Sequence, residues 1–183
     1  MRQHGPWTIL NSQSVYRDPW MEFIRDEVVR PDGKPGSYCY VKILQGISVL
    51  AVDERNVACL TREFHYAVGR ETLEVVSGGI NAGESPENAA LRELKEELGI
   101  TASEVRDFGI VDPFTSMLHS PTRLFLAQGL TFGEHEQEGT ENVQMVRMPF
   151  DEAVAAVFDG RITHAPSCVA ILKAKDVLQL RAS

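Results

Sequence analysis

A chain of 183 residues, 43% hydrophobic and 24% charged, is long enough for one well-buried domain with a small appended lobe and too short for two ordinary domains. Its formal net charge of −8 argues against a function that neutralises many phosphates along a nucleic-acid backbone, but not against small anionic ligands, because a bound divalent metal reverses the local field. No apolar run approaches the roughly 18 residues that span a bilayer, and MRQHGPWTIL has neither the apolar stretch nor the cleavage site of a secretory leader, so a cytoplasmic location with no membrane partner is expected.

Taken in order, Trp7 to Val29 holds two strand-like stretches, WTILNSQSVYRD and WMEFIRDEVV. PDGKPGS, Pro31 to Ser37, reads as a surface turn, and Tyr38 to Leu44 as the strand that pairs back, so residues 1–45 are expected to form an antiparallel β-meander. Gly46 to Val52 and Val57 to Phe64 flank the polar turn Asp53-Glu54-Arg55-Asn56 as a hairpin, and Thr72 to Val76 forms a short strand that runs into a loop carrying Gly78, Gly79 and Gly83. Val105 to Val111, Thr122 to Gln128 and Asn142 to Met148 are further strands, the first two separated by DPFTSMLHSP. Two helices close the chain: Asp151, as N-cap, to Phe158, and Pro166 to about Arg181. Cys39, Cys59 and Cys168 lie far apart without zinc-site spacing and are expected to be reduced and at least partly buried. Many strands with one helix amid them and two at the end predict a mixed α/β sandwich.

The central helix can be bounded by chemistry. Ser85 is suited to N-capping, Pro86 to the first helical position and Gly99 to the left-handed residue that ends a helix. Leu91, Leu94 and Leu98 then predict the buried stripe, which places Glu93, Glu96 and Glu97 together on the other side. Like charges four apart cost a helix about 0.2–0.5 kcal/mol per pair, and anions near its C-terminal end are disfavoured by the dipole. Arg92 and Lys95 offset part of that cost, and a hard divalent cation such as Mg²⁺ would offset more.

The spacing decides the matter. Gly78, Glu84, Arg92-Glu93-Leu94, Glu96-Glu97 and Gly99-Ile100 stand as in the Nudix box, and seven fixed identities at about 7% each coincide by chance on the order of 10⁻⁸ per starting position. The chain resembles the Nudix hydrolases, which cleave a nucleoside diphosphate linked to another group. That resemblance implies a Nudix-type α/β/α sandwich of mixed sheets over residues 46–183, appended to the N-terminal β-meander. It implies Glu93, Glu96, Glu97 and the Ser77 carbonyl as ligands of Mg²⁺, with Mn²⁺ as a substitute, Arg92 as the residue that orients a glutamate, and Glu84 as a supporting acid.

WTILNSQSVYRDPW, TREFHYAVGRETLEVVSGG and DPFTSMLHSPTRLFLA extend the likeness to the ADP-ribose pyrophosphatase branch, with Pro113 close to a proline of that branch. His65 and Glu63 stand where the branch often has arginine and glutamine. The branch implies a late-loop acid as base, for which Glu141 matches best and Glu138 next within GEHEQEGTEN. Arg62, Arg70, Tyr66 and Phe114 are the candidates for substrate binding, since arginine grips phosphate and an aromatic ring stacks on a base. A homodimer in which Trp20, Phe23 or Tyr38 reaches the partner's site is also implied. The expected activity is hydrolysis of ADP-ribose to AMP and ribose 5-phosphate. Another nucleotide substrate (a GDP-sugar, a dinucleotide or an oxidised triphosphate) and a non-catalytic sensor are the alternatives.

Overall fold

The computed structural model describes residues 1–134 and 143–179. Its strands are β1 (Arg2–His4), β2 (Trp7–Arg17), β3 (Met21–Val29), β4 (Pro35–Ile43), β5 (Gly46–Val52), β6 (Val57–His65), β7 (Arg70–Glu74), β8 (Val76–Gly79), β9 (Ile100–Val111), β10 (Leu118–His119), β11 (Thr122–Phe132) and β12 (Gln144–Pro149). Its helices are α1 (Pro86–Leu98), α2 (Phe150–Phe158) and α3 (Ala165–Gln179). They divide into two units, residues 1–44 with 112–121, and residues 45–111 with 122–183.

The first unit is a five-stranded sheet in the order β1-β2-β3-β4-β10. Its turns follow side-chain chemistry: the Asp18 carboxylate accepts from the Trp20 and Met21 N–H groups, each at 2.8 Å, and so closes the β2–β3 connection. The β3–β4 turn is shorter than the sequence implied. Pro35, Gly36 and Ser37, expected in the loop, already pair with Val29, Val28 and Glu27, because proline is tolerated as the first residue of a strand. Two strands went unanticipated: β1, and β10, which pairs in parallel with β4 inside the segment read as a loop.

The second unit is a seven-stranded sheet, β12-β6-β5-β11-β9, with β7 on β6 and β8 on β5. β5 and β11 run parallel at its centre. Ile47, Val49 and Ala51 of β5 face α1, whereas Leu50 and Val52 pack with α2 and α3. A strand covered on both faces reads as a continuous apolar run, which accounts for GISVLAV. Two helix layers around one sheet make the α/β/α sandwich.

Several local expectations change. Gly78 and Gly79 belong to a strand, opposite Ile47 and Gly46, and not to a loop. The buried stripe of α1 is Ala89, Ala90, Leu94 and Leu98, with Leu91 only half-buried. α2 starts on Phe150 without a side-chain cap; Asp151 sits inside the first turn, where its charge favours the helix dipole, and is not the N-cap. β12 turns Val146 and Met148 to the core shared with α2. Cys59 is buried and Cys39 and Cys168 half-buried, all as free thiols, and burial pushes the Cys59 and Cys168 thiols up.

Candidate active site

The ends of α1 are as its chemistry dictates. The Ser85 side chain accepts from the Asn88 N–H at 3.2 Å, Pro86 opens the helix, and Gly99 at φ 64 closes it in the left-handed region. On the helix so bounded, Glu93 meets β8 at Gly78, and Arg92 reaches Gly79 and Glu84 with Glu96 beside it.

Arg92 organises that face. Its Nε donates to Glu84 Oε1 at 2.9 Å and its Nη2 to Glu84 Oε2 at 3.1 Å; Nη1 donates to Glu93 Oε1 at 2.8 Å and to Glu96 Oε2 at 2.9 Å; Nη2 also reaches the Gly79 carbonyl at 2.9 Å. A guanidinium has five N–H donors, and all five are engaged. The bonds to Glu84, then those to Glu93 and Glu96, push the Arg92 pKa further up against the opposing effect of burial. Glu84 in turn also accepts from the Asn81 N–H at 3.0 Å. Its carboxyl is held below the usual range by Arg92 first and by Asn81 second.

Gly78 supplies the space. A Cβ added there would overlap the Glu93 carboxylate, so a residue without a side chain is needed where strand and helix meet. Gly78→Ala is expected to displace Glu93 and lower kcat by about 10²-fold, the effect of a misplacement near 1 Å, with little change in Tm. Steady-state kinetics beside a thermal melt would check it. A kcat within twofold of wild type would refute the contact.

Glu93, Glu96, Glu97 and the Ser77 carbonyl are hard oxygen donors of the kind that Mg²⁺ takes, and the room left by Gly78 lets a carboxylate lie against the backbone. In donor chemistry the residues fit a divalent cation. Among the described residues no three His, Cys, Asp or Glu side chains form a ligand cluster; Glu93 and Glu96 converge on Arg92. Glu97 lies one turn beyond Glu93, half-buried.

The substrate-binding candidates divide between the two units. Arg62, Tyr66 and Arg70 belong to the β6–β7 hairpin and its tip. Arg62 lines a cavity of about 460 Å³ with Leu73, Val146, Met148 and Glu152, while Tyr66 is 95% exposed. Arg70 donates to Thr163 Oγ1 at 2.9 Å. Phe114 is in the other unit and is exposed. Glu141 and Glu138 lie outside the described residues.

Sequence reasoning missed a polar cluster beside β8. Glu74 accepts from Thr72 Oγ1 at 2.7 Å and lies 3.0 Å from His164 Nδ1 and 3.3 Å from His65 Nε2. Burial alone would raise the Glu74 pKa, but the bonds from His164 and Thr72 and the charges of His164 and His65 outweigh it, leaving the carboxyl lowered. His164 is ninety residues from Glu74, and no local motif announces the contact. No helix among the described residues is long and apolar enough to cross a membrane.

The chain is similar to several known proteins. A family model described as the nucleoside diphosphate sugar hydrolase N-terminal domain matches residues 7–41. An ADP-ribose pyrophosphatase of Bacillus subtilis (strain 168) is 26% identical over 171 residues, covering 91% of this chain and 92% of that protein. One from Mycobacterium tuberculosis is 27% identical over 175 residues, covering 94% and 84%. A crystal structure of an ADP compounds hydrolase shares the fold, with a TM-score of 0.84 at 24% identity over 99% of this chain and 98% of that one. The NUDIX domain model matches residues 42–167, spanning β8, α1 and the whole Arg92 network, and the chain belongs to the Nudix family.

Proposed function

We propose that this Nudix hydrolase cleaves the pyrophosphate bond of a nucleoside diphosphate sugar, with ADP-ribose as first substrate, to give AMP and ribose 5-phosphate. The observation that carries the reading is the Arg92 network, which gathers Glu84, Glu93 and Glu96 against the Gly79 carbonyl. The two ADP-ribose pyrophosphatases that align over most of the chain support the choice of substrate.

In this reading Glu93, Glu96, Glu97 and the Ser77 carbonyl hold Mg²⁺, or Mn²⁺ in its place. When bound, the cation supplies charge neutralisation on the phosphoryl oxygens. The chain's own part is geometric. Arg92 fixes the Glu93 and Glu96 carboxylates and Glu84 fixes Arg92, so the donors need little rearrangement when charge develops. Water attacks one phosphorus, the bridging P–O bond breaks, and a late-loop carboxylate, Glu141 before Glu138, takes the proton. Arg62, Arg70, Tyr66 and Phe114 remain the candidates for gripping phosphate and base.

A homodimer formed through the N-terminal sheet completes the reading, supported by the exposure of Trp20, Tyr16 and Val15. A cytoplasmic location belongs to the same reading.

Incubation with Mg²⁺ and a panel of ADP-ribose, NADH, diadenosine polyphosphates, GDP-mannose and nucleoside triphosphates tests the proposal. ADP-ribose is expected to be turned over fastest, with AMP and ribose 5-phosphate as products. A preference for triphosphates would overturn the substrate assignment, and no turnover of any of them would overturn the activity.

A further inference from the structure

Glu93 of α1 meets β8 from one side of the sheet; the other side of β8 is held by hydroxyls lying mostly outside the glycine–glutamate segment. β8 reads Val-Ser-Gly-Gly. Half of it has no side chain, so Val76 and Ser77 alone can anchor it by packing or side-chain bonding. Yet the backbone of Gly78 and Gly79 must be held closely, because the first is where Glu93 rests and the second bonds Arg92.

Ser48 is the fully buried polar residue of the otherwise apolar β5. A buried hydroxyl is costly unless it is bonded. Ser48 Oγ lies 2.8 Å from Ser77 Oγ, and Ser77 Oγ donates to the Val75 carbonyl at 3.1 Å. A serine has one O–H, so with the Ser77 proton on Val75, Ser48 is the donor between the two serines. Val75 is gripped a second time: its N–H donates to Ser167 Oγ at 3.0 Å, and Ser167, in the first turn of α3, is fully buried.

Ser167 is itself fixed by His164, whose Nδ1 lies 2.8 Å from Ser167 Oγ and 3.0 Å from Glu74 Oε2. An ionised carboxylate only accepts, so Nδ1 carries its proton. One ring nitrogen facing both hydroxyl and carboxylate leaves no separate base for the serine, which excludes a nucleophilic triad.

We propose that Ser48 and Ser167 are positioning residues of the hydrolytic site: through Ser77 and Val75 they fix the register of β8, so that Gly78 receives Glu93 and the Gly79 carbonyl receives Arg92. The inference rests on the hydrolytic reading for its kinetic arm alone. Both serines are fully buried and act at one remove, Ser48 through the Ser77 hydroxyl and Ser167 through the Val75 N–H.

The test compares Ser48→Ala and Ser167→Ala with Ser167→Thr, which keeps the hydroxyl, and with Ile171→Val, a core change on the same helix that leaves every hydroxyl in place. Kinetics, thermal unfolding and hydrogen exchange at the amides of residues 76–80 are measured on each. Both alanine variants should lose about tenfold to hundredfold in kcat with KM changed less than about twofold, and their 76–80 amides should exchange faster. Ser167→Thr should restore kcat, and Ile171→Val should lower Tm without lowering kcat. Wild-type exchange in folded Ser48→Ala or Ser167→Ala overturns the proposal. So does a kcat loss no greater than that of Ile171→Val. If Ser167→Ala does not fold, Ser48→Ala carries the same comparison alone. A wild-type protein that hydrolyses nothing defeats the hydrolytic reading, and the exchange measurement still decides the positioning.

Discussion

Arg92→Ala is expected to lower kcat by about 10²–10³-fold, the loss seen when a preorganised polar contact is removed from a hydrolytic site, and to destabilise the fold by about 1–3 kcal/mol, the cost of leaving partly buried bonded groups unpaired. The substitution takes a cation from among Glu84, Glu93 and Glu96, whose side chains are 16%, 14% and 33% exposed. Arg92→Lys should recover little, because a lysine's ammonium is a point charge with three donors and cannot span two carboxylates, a third at i+4 and a carbonyl. The pH dependence has a definite sign. Arg92 holds the Glu84 carboxyl below its usual range, so the pair's contribution is present above the unfolded glutamate pKa of about 4.3 and is lost as pH falls through the lower, folded value. The stability gap between wild type and Arg92→Ala should therefore be widest near neutral pH and close below about pH 4. Urea melts at several pH values would show it, and a gap that stays constant down to pH 3 would contradict the ion-pair account.

Glu97→Gln separates function from stability more sharply. The amide keeps the shape but loses the charge that a divalent cation needs, and kcat is expected to fall by about 10³-fold, several kcal/mol of the charge stabilisation that a metal site provides. The substitution also relieves one like-charge pair with Glu93 four residues earlier, worth about 0.2–0.5 kcal/mol, so the large effect is expected on kcat and only a small one on Tm. A variant that melts close to wild type and is nearly inactive is the signature of a residue kept for its chemistry and not for the fold. Combining Glu97→Gln with Glu93→Gln should cost little more than either alone, because residues acting as a unit are not additive. Full activity in Glu97→Gln would remove it from the metal site.

What the sequence disclosed was whatever depends on neighbours. Ser85, Pro86 and Gly99 bounded α1 because capping is decided within one turn, and the Asp53 turn announced the β5–β6 hairpin. Contacts across long separations stayed hidden. Gly78 and Gly79 read as loop residues, yet their partners, Ile47 and Gly46, lie some thirty positions earlier. The joining of Glu74 to His164, and of Val75 to Ser167, had no local signal either. Within the Arg92 network, spacing alone singled out Arg92, Glu84, Glu93 and Glu96, but not that one guanidinium would spend every donor on these three acids and on the Gly79 carbonyl. The leucine stripe failed in a smaller way: Ala90, Leu94 and Leu98 follow an i, i+4, i+8 line, and the two alanines let the helix sit close to the sheet.

The first unit is made of two separated stretches, residues 1–44 and 112–121, and this matters for a chain emerging from a ribosome. β1 to β4 can pair as soon as they are made, since each meets its sequence neighbour. The outer edge of β4 beside Val41 and Lys42, however, must wait for Leu118 and His119. In that interval the edge presents unpaired N–H and C=O groups, which can template pairing with another nascent chain. A fragment ended between β9 and β10 would keep that edge open permanently, so aggregation during expression is the consequence to watch in any shortened version of the protein.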